Sequence, residues 1–171
     1  MYEYCPKREN NKAIHLIFLM LIGGFLLLAL TAALPALPFR WVFQLLGIAC
    51  LAVAIYTYTR YITRRFSYAV VQKSDGTYDL TVTEWQRKSR VTVCRLSLDG
   101  IERVERVEYA DRDRRDALKK ELRATGRKTF YYTVNLMPQS LCYVIATECG
   151  EPLAVIIEPD ERLMEMLTPP N

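Results

Sequence analysis

The feature that most constrains this chain is an uncharged stretch of 22 residues at 13–34. As a helix rising about 1.5 Å per residue, it would be about 33 Å long, enough to cross a hydrocarbon core of about 30 Å. A second, largely apolar run at 41–60 follows a short link that contains Pro35 and Pro38. Proline lacks an amide donor and disfavours helix in the residue before it. The two runs are therefore predicted to form a transmembrane helical hairpin.

Residues 66–171 have the composition of a soluble domain. They contain sixteen Lys and Arg against seventeen Asp and Glu, so they are nearly neutral and the positive excess of the chain lies in residues 1–65. This balance argues against the basic surface that nucleic-acid binding requires. We therefore divide the chain into a transmembrane hairpin, 1–65, and one soluble domain, 66–171, whose length suits a single core.

Basic residues near the predicted spans are distributed asymmetrically. Arg40 is the only one in the link between the spans, and six lie outside it: Lys7, Arg8, Lys12, Arg60, Arg64 and Arg65. By the positive-inside rule, both termini are expected in the cytoplasm of a multi-pass protein of the plasma or inner membrane. Within this set, Arg60, Arg64 and Arg65 are candidate membrane-surface contacts.

A cleaved signal peptide is the alternative interpretation of the first apolar run, because small residues occur at 31–33. However, the run is longer than the apolar core of about 7–15 residues that signal peptides contain. A second apolar run also follows at once. A retained span is the favoured interpretation.

Beyond residue 65 the hydrophobic pattern alternates in short runs, which indicates β-strands. Asp75-Gly76 is typical of a hairpin turn, since both positions tolerate positive φ angles. The spacing of three between Ile101, Val104 and Val107 fits a strand less well than the other runs do. Seven strands are predicted, at 65–72, 78–86, 90–98, 101–109, 129–136, 141–147 and 153–158.

Two amphipathic helices are predicted in the soluble domain. The first covers 111–125, with Leu118 and Leu122 four residues apart and Gly126 as its cap. A final helix begins after Pro159-Asp160 and carries Leu163, Met164 and Leu167 on one face. The first helix is either a solvated surface or a docking surface for anionic lipid or an acidic partner. The candidate docking residues are Arg112, Arg114, Arg115, Lys119, Lys120 and Arg123.

Signatures of catalysis and of cofactor or metal binding do not occur in the sequence. The only histidine, His15, lies at the start of the first span, and no glycine-rich phosphate loop or nucleophile motif is found. The five cysteines contain no CxxC pair and suit a reducing compartment. No enzymatic activity, cofactor or metal is therefore expected. Acidic and basic residues are also missing from the interior of both spans, which disfavours an ion path.

Several passages resemble a known fold. The T-E-W at 83–85 and the passage at 96–104 are similar to a strand followed by a hydrophobic-polar-Ile-x-x-Val motif, and 156–167 looks like a last strand with a capping helix. Together with the seven strands, they resemble the pleckstrin-homology (PH) fold. The whole chain resembles small bacterial membrane proteins that carry a PH-like domain behind a two-helix hairpin.

The resemblance implies an α+β fold in which the hairpin precedes a PH-like antiparallel β-barrel or sandwich with a C-terminal capping helix. The helix at 111–125 is then an insertion. Eukaryotic PH domains often bind phosphoinositides through basic residues around their first hairpin. Here that loop offers Lys73 beside Asp75 and no basic cluster, so headgroup recognition at this loop is not supported.

The function expected from these features is that of a non-enzymatic membrane protein that presents an interaction or scaffolding domain. Its expected partners are the lipid bilayer, an unidentified protein and a second copy of the chain bound through the hairpin, without nucleic acid. The alternative is a small oligomeric channel or transporter component. In that case Gly23, Gly24 and Gly47 would lie at helix contacts.

Overall fold

A computed structural model describes most of the chain, in two compact units. One unit is Asn10–Arg64, called the hairpin unit below, and the other combines Met1–Glu9 with Arg65–Asn171 and is called the β-unit. Pro35 in the predicted link and the C-terminal Asn171 lie outside the described residues. The structure describes residues 2–8, 11–34, 38–86 and 89–168.

The hairpin unit consists of helices α1 (Lys12–Ala33) and α2 (Arg40–Tyr58), and α2 continues into a π-helical turn at Thr59–Thr63. These bounds confirm the predicted helical runs to within a few residues. Both helices are long and apolar enough to cross a membrane, with mean hydropathies of 2.6 and 1.8. Their large apolar side chains are mostly exposed, including Leu19 at 66% and Ile55 at 65%.

Two glycines bring the backbones of α1 and α2 together. A methyl group added at Gly24 would lie 3.0 Å from the carbonyl oxygen of Gly47, and one at Gly47 would lie 3.1 Å from the carbonyl oxygen of Gly24. Gly23 has no described atom within 4 Å of the same position, so it takes no part in this contact. Gly24 and Gly47 therefore allow close packing of the two helices within the hairpin unit.

The β-unit begins with a strand that the sequence analysis missed. Strand β1 (Tyr2–Tyr4) pairs antiparallel with β2 (Arg64–Gln72), so that Tyr2 lies opposite Val70 and Tyr4 opposite Tyr68. A strand of three residues is too short for an alternating pattern to reveal it. The hairpin unit is thus inserted between two neighbouring strands of one sheet, and residues 2–8 belong with the β-unit.

The described residues of the β-unit form two four-stranded sheets. The first has the order β1-β2-β3-β4 and the second has the order β5-β7-β8-β6. All seven predicted strands are present, although the strand expected at 129–136 ends at Tyr131. The remaining strands are β3 (Tyr78–Gln86), β4 (Ser89–Ser97), β5 (Ile101–Glu108), β6 (Lys128–Tyr131), β7 (Ser140–Glu148) and β8 (Glu151–Ile157).

The expected antiparallel barrel is corrected in two respects. No barrel is closed among the described residues, since the eight strands form two separate sheets. Strand β6 also pairs parallel with β8, whereas β7 pairs antiparallel with both β5 and β8. It follows that β5 and β6 run in the same direction. Helix α3 (Arg112–Ala124) is the crossover that such a parallel connection requires.

Two cores explain the apolar sequences of β7 and β8. The main core lies between the two sheets and includes Val144 of β7, whereas Tyr143 and Ile145 point to a second core under Leu118 and Leu122 of α3. A sheet that is buried on both faces needs apolar residues at successive positions. This is why β7 and β8 are nearly continuous apolar runs.

Helix α4 (Glu161–Leu167) closes the main core, as predicted. Its Leu163 and Leu167 are 0% and 2% exposed, and the Asp160 carboxylate accepts a hydrogen bond from the Leu163 amide at 3.0 Å. Such an N-cap stabilises a helix by about 1 kcal/mol. The described residues therefore form an α+β fold with four helices and two sheets.

Helix α3 also has the predicted ends. The Asp111 carboxylate accepts a hydrogen bond from the Arg114 amide at 3.0 Å. At the other end, Gly126 has a φ of 66° and the Arg127 amide donates to the carbonyl of Leu122 at 3.0 Å. A left-handed residue that lets the chain return a hydrogen bond to the last turn is a common helix stop.

Candidate functional site

Some of the basic residues predicted as a docking surface instead hold α3 on the second sheet. The Arg114 Nε atom lies 2.6 Å from Glu105 Oε1 on β5. The Arg115 guanidinium lies over the ring of Tyr109, 4.1 Å from its centroid. Both contacts use a cation to fix the helix against its own domain.

The other candidate residues lie on the exposed side of α3. Asp116 lies 3.7 Å from Arg112 and 3.3 Å from Lys119, which offsets part of their charge. Lys120 and Arg123 are exposed. The helix therefore presents a charged, solvated surface, and docking through it stays a prediction.

The candidate membrane-surface arginines are divided between the two units. Arg60 lies in the π-helical turn with its guanidinium 5.3 Å from the centroid of the Tyr61 ring, and Arg64 follows that turn. Both belong to the hairpin unit, whereas Arg65 belongs to the β-unit. There Arg65 joins a site that the sequence analysis did not identify.

That site, called the basic pocket below, is a cleft of about 430 Å³ within the β-unit. The strand pairing of β1 with β2 creates it, because it lays the residues after β1 beside the start of β2. Lys7 and Arg8 were recognised from the sequence only as flanking charges. Their convergence with Arg65 depends on β1, which no local pattern predicted. The lining residues are Cys5, Pro6, Lys7, Arg8, Arg65, Phe66, Trp85 and Val134.

The aromatic wall of the basic pocket is fixed by its neighbours. Trp85 donates from Nε1 to Ser67 Oγ at 3.0 Å, and the Arg90 guanidinium lies 3.4 Å from the centroid of its ring. Arg90 is positioned there because it is the cross-strand partner of Trp85 in the β3-β4 pair. Phe66 is 4% exposed and contacts the ring of Tyr132 edge to face, at 5.6 Å.

A buried polar pair holds the remaining walls. Asn135 donates from its backbone nitrogen and from its side-chain Nδ2 to the two carboxylate oxygens of Glu158, at 2.8 and 2.7 Å. The same Nδ2 lies 3.3 Å from the carbonyl oxygen of Lys7. Since Val134 precedes Asn135, one buried pair positions both the chain at Lys7 and the apolar wall. Buried polar groups that are satisfied in this way make a site rigid.

The electrostatics of the basic pocket favour an anion. Burial lowers the pKa of Arg8, and the positive charge of Arg65 lowers it further. An arginine remains protonated under such a shift. The cleft therefore places the positively charged guanidinium groups of Arg8 and Arg65 close together. Among the described residues that line the cleft, none is acidic. Arginine binds phosphate and carboxylate groups through paired, charge-assisted hydrogen bonds.

Other chemistry is weakly represented in the β-unit. Burial raises the pKa of Cys142 to about 12 and that of Cys94 to about 11, so both thiols are protonated and poor nucleophiles. Within 2–8, 11–34, 38–86 and 89–168, no three His, Cys, Asp or Glu side chains are grouped to hold a metal. Comparison with protein-family models, with curated proteins and with solved structures yields no match to this chain.

Proposed function

We propose that the protein is a non-enzymatic integral membrane protein whose β-unit is an interaction or scaffolding module on the cytoplasmic side of the plasma or inner membrane. The observation that carries this proposal is the pairing of β1 with β2 across the inserted hairpin unit. Residues 2–4 and 68–70 must lie in the same compartment to pair. Two spans return the chain to its starting side, whereas a single span would separate the strands.

The apolar surface of the hairpin unit supports its location in a bilayer. In the most apolar 18-residue stretch of each helix, only 11% of α1 and 17% of the second helix is buried. On α1, the side chains of Ile22 and Phe25 are 64% and 62% exposed. Apolar patches of this extent on soluble monomers mark membrane or protein contacts. The six-to-one distribution of flanking cations supports the cytoplasm as the side of the β-unit.

A PH-like identity of the β-unit is supported by the two sheets that share one core and by α4, which closes it. The crossover through α3 departs from that family. The mechanism of the proposed function is localisation. A hairpin confines the β-unit to the membrane surface and raises its effective concentration toward other membrane-bound proteins.

Cysteine labelling in intact cells tests the topology. Ser74 lies in the exposed turn between β2 and β3, so Ser74→Cys provides a reporter after the exposed Cys5 and Cys149 are replaced by serine. An impermeant maleimide should label it only after the membrane is permeabilised. Labelling from outside the cell would contradict a cytoplasmic β-unit.

Exchange of the hairpin tests the role. A chain in which 10–64 is replaced by an unrelated two-span hairpin should keep the protein crosslinks that the wild type forms in native membranes. The reason is that a hairpin whose only role is to localise the β-unit needs only to span the membrane. For the alternative, a channel or transporter component, the same exchange should abolish function, because the spans would then form the transport path.

A further inference from the structure

We propose that the basic pocket binds the phosphate group of an anionic phospholipid from the bilayer that holds the hairpin unit. This inference rests on the proposed function, since it requires α1 and α2 to be embedded in lipid. It adds a ligand to the β-unit at a site that is distinct from the α3 surface. It also gives the β-unit a specific lipid contact beyond passive tethering.

Covalent connectivity keeps the pocket cations near the bilayer. Arg8 precedes Lys12, the first residue of α1, by four positions, and Arg65 follows Thr63, the last residue of the π-helical turn, by two. A chain spans at most about 3.6 Å per residue, so these distances cannot exceed about 14 and 7 Å. Together with the headgroup regions a bilayer is about 40–45 Å thick, roughly 5–8 Å more on each side than its hydrocarbon core. Both arginines are therefore held in or next to the headgroup layer.

The charges in the basic pocket match a phosphate. Lys7, Arg8 and Arg65 converge from two chain segments, and the described lining residues include no carboxylate. Burial lowers the pKa of Arg8, and the positive charge of Arg65 lowers it further, because the two groups repel each other. An anion between them relieves that repulsion. A guanidinium also offers the planar pair of donors that phosphate oxygens accept.

The apolar walls match the rest of a lipid headgroup. Phe66, Trp85 and Val134 face the same cleft, whose volume of about 430 Å³ suits a small ligand. Aromatic rings also favour the membrane interface. The cleft therefore offers cations to the phosphate and rings to the glycerol and the first methylenes.

The turn between β2 and β3 lacks this chemistry. Lys73 follows β2, whereas Arg65 lies near its beginning, so the two lie toward opposite ends of the strand. The Lys73 ammonium lies 2.9 Å from the buried carboxylate of Asp79, which offsets its charge. Lys7 and Arg65 instead line the basic pocket, at the end of the first sheet that is nearest the hairpin unit along the chain.

Trp85 provides a reporter for the proposed ligand. The chain has two tryptophans, so Trp41→Phe leaves Trp85 as the only one. The full chain is reconstituted into phosphatidylcholine vesicles that contain increasing fractions of phosphatidylglycerol, and Trp85 emission is recorded. We expect a saturable change with phosphatidylglycerol, and none when soluble glycerol phosphate is added to pure phosphatidylcholine vesicles.

A matched pair of variants localises the effect. Lys7→Gln with Arg65→Gln removes two exposed pocket cations, and Lys120→Gln with Arg123→Gln removes two exposed cations from α3. Each basic residue near an anionic surface contributes about fivefold to binding, so the pocket variant should bind about 25-fold more weakly. The α3 variant should bind like the parent. The melting temperature in pure phosphatidylcholine vesicles confirms that both variants fold.

Three results would overturn the inference. These are equal weakening by both variants, an equal response to glycerol phosphate, and a membrane-embedded parent whose Trp85 ignores phosphatidylglycerol. The last result leaves the proposed function standing. If alkaline carbonate extracts the parent chain from the vesicles, the proposed function itself is wrong.

Discussion

The hairpin unit and the β-unit place the same kinds of side chain in opposite environments. Ile156 and Leu163 of the β-unit are 0% exposed, whereas Leu19 and Ile55 of the hairpin unit are 66% and 65% exposed. Removing a large apolar side chain from water stabilises a fold by about 1.5–3 kcal/mol. The β-unit obtains this free energy from its own fold. The hairpin unit would obtain it only in a surrounding apolar phase, such as the proposed bilayer.

The source of internal stability differs accordingly. Apolar contacts between helices gain little in lipid, because lipid tails are as apolar as leucine, so close backbone packing matters more. Gly24 and Gly47 provide that packing in the hairpin unit. In the β-unit the equivalent role falls to the side chains between the sheets, such as Val144 and Leu163. Substitutions in the two units should therefore follow different rules.

The largest expected effect is on solubility. If residues 10–64 are replaced by a short glycine-serine linker, the protein should move from the membrane fraction to the soluble fraction and keep its β-rich circular dichroism. The antiparallel pairing of β1 with β2 lets a short linker join their neighbouring ends. Ultracentrifugation of cell lysates measures the partition.

A fragment that begins at Phe66 is the control for this prediction. It lacks β1, and with it Tyr2 and Tyr4, which pack against the main core. It should therefore be less stable than the protein with the glycine-serine linker, called the linked protein below. The expected difference is about 1.5–3 kcal/mol, the contribution of burying one large apolar side chain. Equal stability of the two proteins would mean that β1 is only loosely attached.

The next effect is the loss of a core side chain. Leu163→Ala should reduce the free energy of unfolding of the linked protein by about 2–5 kcal/mol, because Leu163 is completely buried. The exposed Glu165→Ala on the same helix should change it by less than about 0.5 kcal/mol. Urea denaturation followed by circular dichroism gives both values. Small, similar effects would show that α4 does not close the core.

Local pattern was sufficient to predict most of the elements. The alternating runs of β3 and the leucine spacing of α3 and α4 are short-range signals that their own residues carry. Even the irregular run at Ile101–Glu108 is a strand. Its three-residue spacing was misleading for two reasons. A register shift between Ile101 and Arg103 lets both Ile101 and Val104 contact the main core, and Val107 contacts the second core on the opposite face.

Long-range pairing was beyond the reach of the sequence. Strand β1 has three residues and a partner more than sixty positions away, so nothing local marks it. The parallel pairing of β6 follows from the path of α3, which no residue pattern specifies. The basic pocket depends on β1 and was missed for the same reason. Lys7, Arg8 and Arg65 were recognised as charges but not as neighbours.

A smaller effect is expected from crowding of the helix contact. Gly24→Leu should destabilise the hairpin unit by about 1–3 kcal/mol, the usual cost of overpacking, because the new side chain meets the backbone of Gly47. Gly23→Leu is the matched control, since its Cβ meets open space. Thermal unfolding of the full chain in detergent compares the two. If Gly23→Leu instead dissociates an oligomer, the face that carries Gly23 contacts a second copy.

The smallest effect is the pH dependence of the ion pairs beneath α3. Burial alone would raise the pKa of Glu105, but hydrogen bonds from Arg114 and Arg103 outweigh it and the pKa is lowered. The native state then binds fewer protons than the unfolded state, so this contribution is complete above about pH 4.3, the ordinary pKa of glutamate. It is lost as the pH falls through the lowered pKa of Glu105.

Glu105→Gln in the linked protein should therefore cost stability at neutral pH and progressively less below about pH 4.3. The side chains of Arg103 and Arg114 are 42% and 48% exposed, so the difference should be only about 0.2–1 kcal/mol. Urea denaturation at a series of pH values measures it, with the exposed Glu165→Gln as the control. A cost that persists unchanged in acid would assign the role of Glu105 to packing rather than charge. The contact between Arg114 of α3 and Glu105 of β5 would then stabilise the β-unit through packing, as the apolar core does.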